Sequence, residues 1–496
     1  GDFEPIAYDR KIAVAQEALG SDVNRLASLF VEICEANRNE RDYTRAEIRR
    51  AIRDLAACFR IYRTYVIPAR NEITDDDRLA ISDAAECAKQ HRQDIDGGLF
   101  DFLRDVLTLE VPGKKESEFL LLFQQFTGPV MAKGVEDTAF YCFNRLIGLN
   151  EVGSDPGRDG FSPAEFHAYN EKMQATRPLT MTTLSTHDTK RSDDVRARLA
   201  VLSELPGRFR SALQRWSRIN EEFRARSSSG VEYPDRNTEY FYYQTLIGAW
   251  PLPLDRAQSY MLKAVREAKQ QTSWVANNND FEAALQSFIE KTLAHQPFIE
   301  KLDEFVARIL DAGRINSLAQ TLLKSIAPGV PDLYQGSELW DLSLVDPDNR
   351  RPVDYDLRRK LLEELQQLSG NDIAVQIMRR ADEGLPKLWT IHQALLLRRE
   401  HPEWFGDEAA YTPLLAEGSK SEHVLACMRS DSVIAIAPRL PLTLGGSWRR
   451  TRLTLPGIRW HNRLTREDVP GGSIEVEKLL RHFPVALLIR ETNTNA

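Results

Sequence analysis

The chain has 496 residues, 42% of them hydrophobic and 28% charged, with a formal net charge of −8. That length exceeds one compact core and predicts several domains of an ordinary globular protein. The acidic balance argues against nucleic acid and anionic membrane surfaces, and no apolar run approaches a membrane span. With no charged-then-apolar leader at the start, the sequence predicts a cytoplasmic protein with no membrane partner. The five cysteines, Cys34, Cys58, Cys87, Cys142 and Cys427, are odd in number, widely spread and without a CxxC pair. Reduced thiols are expected, with no disulfide framework and no zinc site. The chain opens on Gly1-Asp2-Phe3-Glu4 rather than Met, so a segment of something longer is one expectation.

In chain order, residues from about 8 to 126 read as successive helices. Thr44 with Glu47 spells a capping box ahead of Ile48, Ile52, Leu55 and Phe59 on one helical face. Thr74 precedes Asp75, Asp76 and Asp77, acids that a helix N-terminus favours. Val111-Pro112-Gly113 interrupts the pattern before a helix through Phe119 and Phe123. Val130 to Ala132 then reads as a short strand opening into a glycine-containing loop with Lys133, Glu136 and Asp137. Those three charges fit either a site or a surface ion-pair cluster. Leu179 to Thr186, apolar and β-branched, reads as a buried strand ending in His187-Asp188. An imidazole beside a carboxylate can grip neighbouring hydroxyls, one mostly donating and the other accepting. The plainer alternative is a helix start with Asp188 as N-cap for Lys190 onward.

The next strand-like run is Ile326 to Glu338, and the residues between are far more than one crossover helix needs. They read as helices over Asp235 to Trp250, Asp255 to Glu267, Phe281 to Leu293 and Phe298 to Leu310, an inserted helical arm. Its Tyr240, Tyr242, Tyr243, Trp250 and Trp274 fit a core better than a sugar platform. Trp340 to Tyr355 is a polar loop with two adjacent guanidinium groups and several carboxylates, and such forks suit hydroxyl-rich ligands. A helical stretch from Leu357 to His401 follows. From about Tyr411 the period switches to two, in His423 to Met428, Val433 to Ala437, Arg452 to Leu455 and Pro484 to Ile489, predicting a small antiparallel β domain.

Thr186-His187-Asp188 at a strand end, followed by Pro328-Gly329-Val330-Pro331-x-x-Tyr334-x-Gly336-x-Glu338, resembles the last two barrel strands of the α-amylase family. Asp346-Pro347-Asp348-Asn349-Arg350-Arg351-Pro352 is similar to a loop of the same family. More narrowly, Gly128 to Thr138, Ser185 to Ser192 and Glu338 to Leu344 resemble the maltooligosyl trehalose synthases. The resemblance implies an α/β fold: the C-terminal part of a (β/α)8 barrel with large α-helical insertions, followed by a small antiparallel β domain. The expected divisions are a helical insertion domain over 1–126, late barrel strands and catalytic-face loops over 127–202, and a helical arm over 203–312. The last barrel strand and closing helices would occupy 313–405 and the β domain 406–496.

On that resemblance the substrate is a malto-oligosaccharide. Its reducing-end α-1,4 linkage becomes an α,α-1,1 linkage by retaining intramolecular transglucosylation. Asp188 matches the family's third carboxylate, which binds hydroxyls of the reacting glucose, and His187 would hydrogen-bond the same ring. Lys133, Glu136, Asp137, Lys190 and Arg191 are expected to form the closed pocket that keeps the released glucose from water. Trp340, Asp346, Asn349 and Arg350 are expected sugar contacts. The mechanism calls for no cofactor and no metal.

The departure from the family lies upstream. Before Val130 there is neither an Arg-x-Asp at a strand end, where the family has its nucleophile, nor a strand-end Glu for its acid. Both carboxylates and the early barrel strands are therefore expected in a segment before Gly1, joined in cis or supplied in trans. One preorganised contact contributes about 3–4 kcal/mol, whereas enzymes lower barriers by roughly 8–23 kcal/mol. Asp188 and His187 cannot cover that difference, so the chain alone is expected to be inactive. Half a parallel barrel also exposes sheet edges, which predicts poor stability in isolation. The alternatives are another α-amylase-family glucan hydrolase or transglycosylase, and a non-catalytic glucan-binding scaffold.

Overall fold

The computed structural model describes residues 2–226, 230–370 and 372–491. The start of the chain at Gly1 therefore lies outside the described residues. Two compact units share the chain. One is drawn from Gly1–Arg145, Asp155–Gly157 and Lys263–Asn279, the other from Leu146–Ser154, Arg158–Leu262 and Asp280–Ala496. The chain is rich in helix, its sheets are small, and no described helix is long and apolar enough to cross a membrane.

The first unit is built on six helices: α1 (Phe3–Glu17), α2 (Gly20–Ala36), α3 (Arg45–Cys58), α4 (Asp75–His91), α5 (Gly97–Leu107) and α6 (Lys114–Met131). The capping box predicted at Thr44 is present. The Thr44 hydroxyl accepts from Glu47 N, and Glu47 accepts from Thr44 N at 2.8 Å. Thr74 and Asp77 repeat the motif at α4. Ile48, Ile52 and Leu55 on α3 meet Phe30, Leu99, Phe100, Phe119 and Phe123 in one core, where the Phe30 and Phe119 rings sit 4.8 Å apart.

Two expectations fail in this unit. Val130 to Ala132 is not a strand: α6 runs through Pro129 to Met131 and passes into a π-helical turn, Ala132–Ala139. Phe119, Phe123, Phe126 and Val130 recur at helical spacing and are buried, so Val130 closes a helical stripe. Pro129 lacks the donor of a regular turn, and a proline is one of the few causes of such irregularity inside a helix. The cysteines are not all free thiols either. Cys58 and Cys87 form a disulfide with Cα atoms 5.9 Å apart, while Cys34, Cys142 and Cys427 lie outside it and are buried. Cys58 ends α3 and Cys87 lies in α4, so helix packing pairs residues whose separation of 29 carries no local signal.

In the second unit the expected strands shrink to Met181–Thr182 and Val330–Pro331, a parallel pair in which Met181 faces Val330. Both are edge-like rather than buried, with Met181 70% and Val330 45% exposed. Ile326, read as the opening of a strand, is instead the last residue of a 31-residue helix, Gln296–Ile326. That helix also absorbs the run expected over Phe298 to Leu310. The stretch from Leu357 to His401 is three helices, Tyr355–Gln367, Ile373–Arg379 and Leu385–Glu400, with Gly384 at φ 83° before the last.

The period-two tail folds as predicted into antiparallel sheets. One has six strands in the order Asp468–Val469, Trp460–Asn462, Ala486–Arg490, Val433–Pro438, Val424–Arg429 and Tyr411–Leu414. Val433–Pro438 is central and buried throughout, whereas Arg452–Leu455 in the second, three-stranded sheet alternates exposed and buried residues. That difference follows from covering both faces of a strand or only one.

Candidate active site

The site begins where the parallel pair ends. Val330 N donates to Thr180 O at 2.9 Å and Asp332 N to Thr182 O at 2.7 Å. Gly329 makes the approach possible: its φ is 122°, and a Cβ there would lie 2.7 Å from Thr180 O. Beyond Thr182 the backbone leaves the ladder because threonine and serine side chains offer it other bonds. Thr183 Oγ1 donates to Ser185 O at 2.6 Å, Asp188 N donates to Thr186 Oγ1 at 3.2 Å, and Thr189 Oγ1 donates to Thr186 O at 2.8 Å. These bonds hold a turn that presents His187 and Asp188 outward. Their side chains are 65% and 69% exposed, and His187 Nε2 lies 3.2 Å from Asp188 Oδ2. The helix that follows starts at Asp193, with Ser192 as its N-cap residue, so Asp188 is not a helix cap.

Below this exposed pair the same stretch is buried and clamped. Glu151 accepts from Lys190 N at 2.8 Å and from Arg191 N at 3.2 Å. The Arg191 side chain, 1% exposed, donates to Ile147 O, Asn150 O and Tyr260 Oη. Arg191 therefore fixes the loop from beneath and presents no guanidinium to a ligand. Arg196 donates to Leu184 O. Ser192 N donates to Ser343 O at 2.9 Å and Ser192 Oγ to Asp341 O at 2.5 Å, and Arg191 forms an antiparallel bridge with Leu344.

Deeper still lie Asp193, Asp194 and Lys387. The Lys387 ammonium donates to Asp193 Oδ2 at 3.0 Å and Asp194 Oδ2 at 2.8 Å, and all three side chains are nearly inaccessible. Ser185 Oγ donates to Asp193, Ser317 Oγ donates to Asp194, and Asp341 N donates to Asp194 at 2.6 Å. Burial opposes ionisation of Asp193, but the Lys387 charge prevails and holds its carboxyl below the usual range. Burial, reinforced by the Asp193 charge, instead pushes the Asp194 carboxyl up to about 6. Lys387 thus ties the base of the His187-Asp188 loop to the helix Leu385–Glu400, and the Asp194 carboxylate ties it to the helix Gln296–Ile326 and to the loop at Asp341.

The second loop is held by Asp348. Arg256 grips its carboxylate with two bonds of 2.7 Å and also donates to Leu342 O, while Leu344 N donates to Asp348 Oδ2 at 2.7 Å. Burial would raise the Asp348 carboxyl, yet the Arg256 bonds hold it below its ordinary value. Asn349 then links the two loops by donating from Nδ2 to His187 O at 3.0 Å, and its buried Oδ1 has no partner among the described residues. Arg350 pairs with Asp346 at the exposed rim. Trp340 is committed elsewhere: its indole donates to Ala381 O at 2.6 Å, and the Arg314 guanidinium stands 5.8 Å from its ring. It lines a cavity of about 460 Å³ with Trp250, Asp303 and Arg198.

Lys133, Glu136 and Asp137 occupy the π-helical turn of the first unit. Lys133 Nζ pairs with Asp137 at 2.7 Å, and Tyr62 Oη donates to the buried Glu136. Wide turns of this kind are frequent at functional positions.

The structure thus brings His187, Asp188, Lys190, Asn349, Arg350 and Asp346 into one pair of linked loops. Glu151, Asp193, Asp194, Arg256, Asp348 and Lys387, the residues that hold those loops, escaped the sequence reading. Of these, Asp348 lies inside the Asp346 to Pro352 motif and Asp193-Asp194 directly follow Ser192, whereas Glu151, Arg256 and Lys387 carry no such signal. Chemically, an exposed imidazole and carboxylate can bind hydroxyl groups and orient them.

No family model matches the chain. It is 40% identical over 376 residues to the "Putative maltooligosyl trehalose synthase" of Mycobacterium tuberculosis, covering 74% of this chain and 45% of that protein. The structure of maltooligosyltrehalose synthase from Arthrobacter ramosus matches with a TM-score of 0.81 and 35% identity, over 98% of this chain and 58% of that one. The Sulfolobus tokodaii hypothetical maltooligosyl trehalose synthase matches with a TM-score of 0.74 and 26% identity, over 99% and 58%. The chain spans about half the length of the curated relatives it matches.

Proposed function

We propose that this chain, similar to maltooligosyl trehalose synthases over about half of their length, serves in such an isomerase. It would supply the loops that hold the reacting glucose. The observation that carries the proposal is the exposed His187-Asp188 pair, set just past a parallel strand pair and tied by Asn349 to the loop containing Asp346 and Arg350. The strands Met181–Thr182 and Val330–Pro331 are taken as late strands of a (β/α)8 barrel, with 127–202 and 313–405 as its segments.

Asp188 would accept hydroxyls of the glucose being transferred, and His187 would bond the same ring. The nucleophile and general acid would come from another barrel segment, in cis or in trans. The cleaved reducing-end glucose stays bound, and its anomeric hydroxyl attacks the glycosyl-enzyme to close the α,α-1,1 link. Lys133, Glu136, Asp137 and Lys190 are proposed to keep that glucose in place, and Arg191 to act only by positioning the loop.

The test is the loss of reducing ends from a short malto-oligosaccharide. This chain would be assayed alone and then with polypeptide completing the length of its relatives. Loss without fragmentation only in the completed protein, abolished by Asp188→Asn, is the expected result. Free reducing glucose would identify a hydrolase instead, and binding without turnover in both forms would identify a glucan-binding scaffold. Lys133→Ala should shift the completed enzyme from isomerisation towards hydrolysis; an unchanged product ratio removes Lys133 from the role.

A further inference from the structure

We propose that Cys58, Cys87 and His91 form a site for one soft divalent cation, such as Zn²⁺, whenever the two cysteines are reduced. The sulfur and imidazole ligand atoms of these residues lie within 4.8 Å of one another, the one such group of three among the described residues. Cys87 and His91 stand one turn apart on α4, so both side chains leave the same face of that helix. Cys58 ends α3, and its Cα lies 5.9 Å from that of Cys87.

Around one zinc ion, with bonds of about 2.3 Å to sulfur and about 2.0–2.1 Å to nitrogen, ligand atoms sit roughly 3.5–3.8 Å apart. On reduction the two sulfurs, bonded to each other in this structure, would separate to about 3.8 Å, and the imidazole nitrogen, within 4.8 Å of them, would close to about 3.5 Å. Two thiolates and a neutral imidazole would cancel the charge of a divalent ion, a suitable balance for a half-buried site.

The surroundings favour the ligand set. The Tyr8 ring stacks on His91 at 4.0 Å and 13°, fixing the imidazole plane, and the Tyr8 hydroxyl donates to Asp54, which also accepts from Arg92. Lys11 Nζ donates to the carbonyls of Ala57 and Phe59, the residues on either side of Cys58, and so places positive charge near its thiolate. Cys58 is buried, Cys87 half-buried and His91 exposed. The three ligands therefore leave the outward position to water, as in sites with three protein ligands.

The disulfide is the oxidised state of the same pair. A small-molecule disulfide takes two electrons from the two metal-bound thiolates and, with two protons from water, leaves as two thiols. The new S–S bond replaces both metal–sulfur bonds, and the cation is released. This site lies in the first unit and uses none of the residues proposed for the sugar chemistry.

The test is a Co²⁺ titration of the fully reduced 496-residue chain without oxygen. One equivalent should produce a thiolate-to-cobalt charge-transfer band with the intense visible bands of tetrahedral cobalt, and one equivalent of Zn²⁺ should remove them. Cys58→Ser and Cys87→Ser should each weaken binding by roughly two orders of magnitude or more, and His91→Ala by about tenfold or more. Cys34→Ser should change nothing. Far-UV circular dichroism of each variant separates lost binding from lost fold, with the half-buried Cys87 the milder substitution. A reduced chain, its five thiols counted after unfolding, that gives no band would overturn the proposal. So would a band that survives Cys87→Ser in folded protein, or one that appears in the disulfide form.

Discussion

Replacing Lys387 by Met asks how much the buried cation beneath the His187-Asp188 loop contributes. Removing one partner of a buried ion pair costs about 3–5 kcal/mol, because the other charge is left uncompensated. Here Asp193 and Asp194 keep their bonds from Ser185, Ser317 and the Asp341 backbone, which soften the loss. One carboxyl can also take up a proton. A loss of about 3 kcal/mol at pH 7.5 is therefore expected for Lys387→Met. The pH dependence supplies the sharper check. With Lys387 in place the Asp194 carboxyl is already raised to about 6; without it the carboxyl rises further. The folded variant then holds a proton that the unfolded chain has released, so its stability falls as pH rises through that raised value. Lowering the pH from 7.5 to 5.5 should return roughly 1 kcal/mol or more of the deficit. Urea unfolding followed by tryptophan fluorescence is the assay, since seven of the eight tryptophans lie in the second unit. A deficit below about 1 kcal/mol, or one identical at the two pH values, would refute the argument.

Two further predictions concern the first unit. In Gly134→Ala the new Cβ would fall 2.8 Å from Lys11 Cα and 3.0 Å from Lys11 N, so α1 must shift. A loss of about 1–3 kcal/mol is expected in thermal unfolding, while Gly128→Ala, with open space around it, should be neutral or slightly stabilising. Burial lowers the Lys11 ammonium to about 8, with the Arg60 charge adding to the effect. The unfolded chain then binds more protons than the folded one above that value, so stability should rise between pH 8 and 10.5, by up to about 3 kcal/mol. Lys11→Met should flatten that slope, and an equal slope in both proteins would assign it to other groups.

What the sequence disclosed follows the range of the forces involved. Capping at Thr44 and Thr74 depends on residues three apart, and both helix starts could be read directly. The alternation in Arg452–Leu455 and the short apolar runs in Val424–Arg429 and Val433–Pro438 are likewise local and announced the β tail. Val130 misled because a β-branched residue beside Pro129 and Gly128 resembles a strand opening. Its helical character shows only in the stripe it shares with Phe119, Phe123 and Phe126. Met181–Thr182 and Val330–Pro331 were legible as a pair but overestimated in length, because Thr183, Thr186 and Thr189 bond their own loop. Cys58 and Cys87 meet only through the packing of α3 on α4, and no spacing rule reports that.

The candidate site divides along the same line, and burial marks the division. In Ser185 to Asp194 every residue is polar, so composition alone gives each a similar claim to contact a ligand. His187 and Asp188 have side chains two-thirds exposed, whereas Arg191 is 1%, Asp193 3% and Asp194 6% exposed. A charge that far from water must be paired, and each of these is: Arg191 by carbonyls and Tyr260, the two aspartates by Lys387. The Thr186-His187-Asp188 signal could be read because the two side chains proposed to bind sugar are adjacent. Lys387 lies 193 residues beyond Asp194, in a helix whose pattern says nothing of carboxylates, so its part in holding the loop appears only once the chain is folded. The exposed pair can change its ligand without disturbing the fold, while the buried set cannot lose one member without straining the others. Substitutions at His187 or Asp188 should therefore alter binding with little effect on unfolding, and those at Lys387 or Asp193 should lower stability and, through the loop they hold, binding with it.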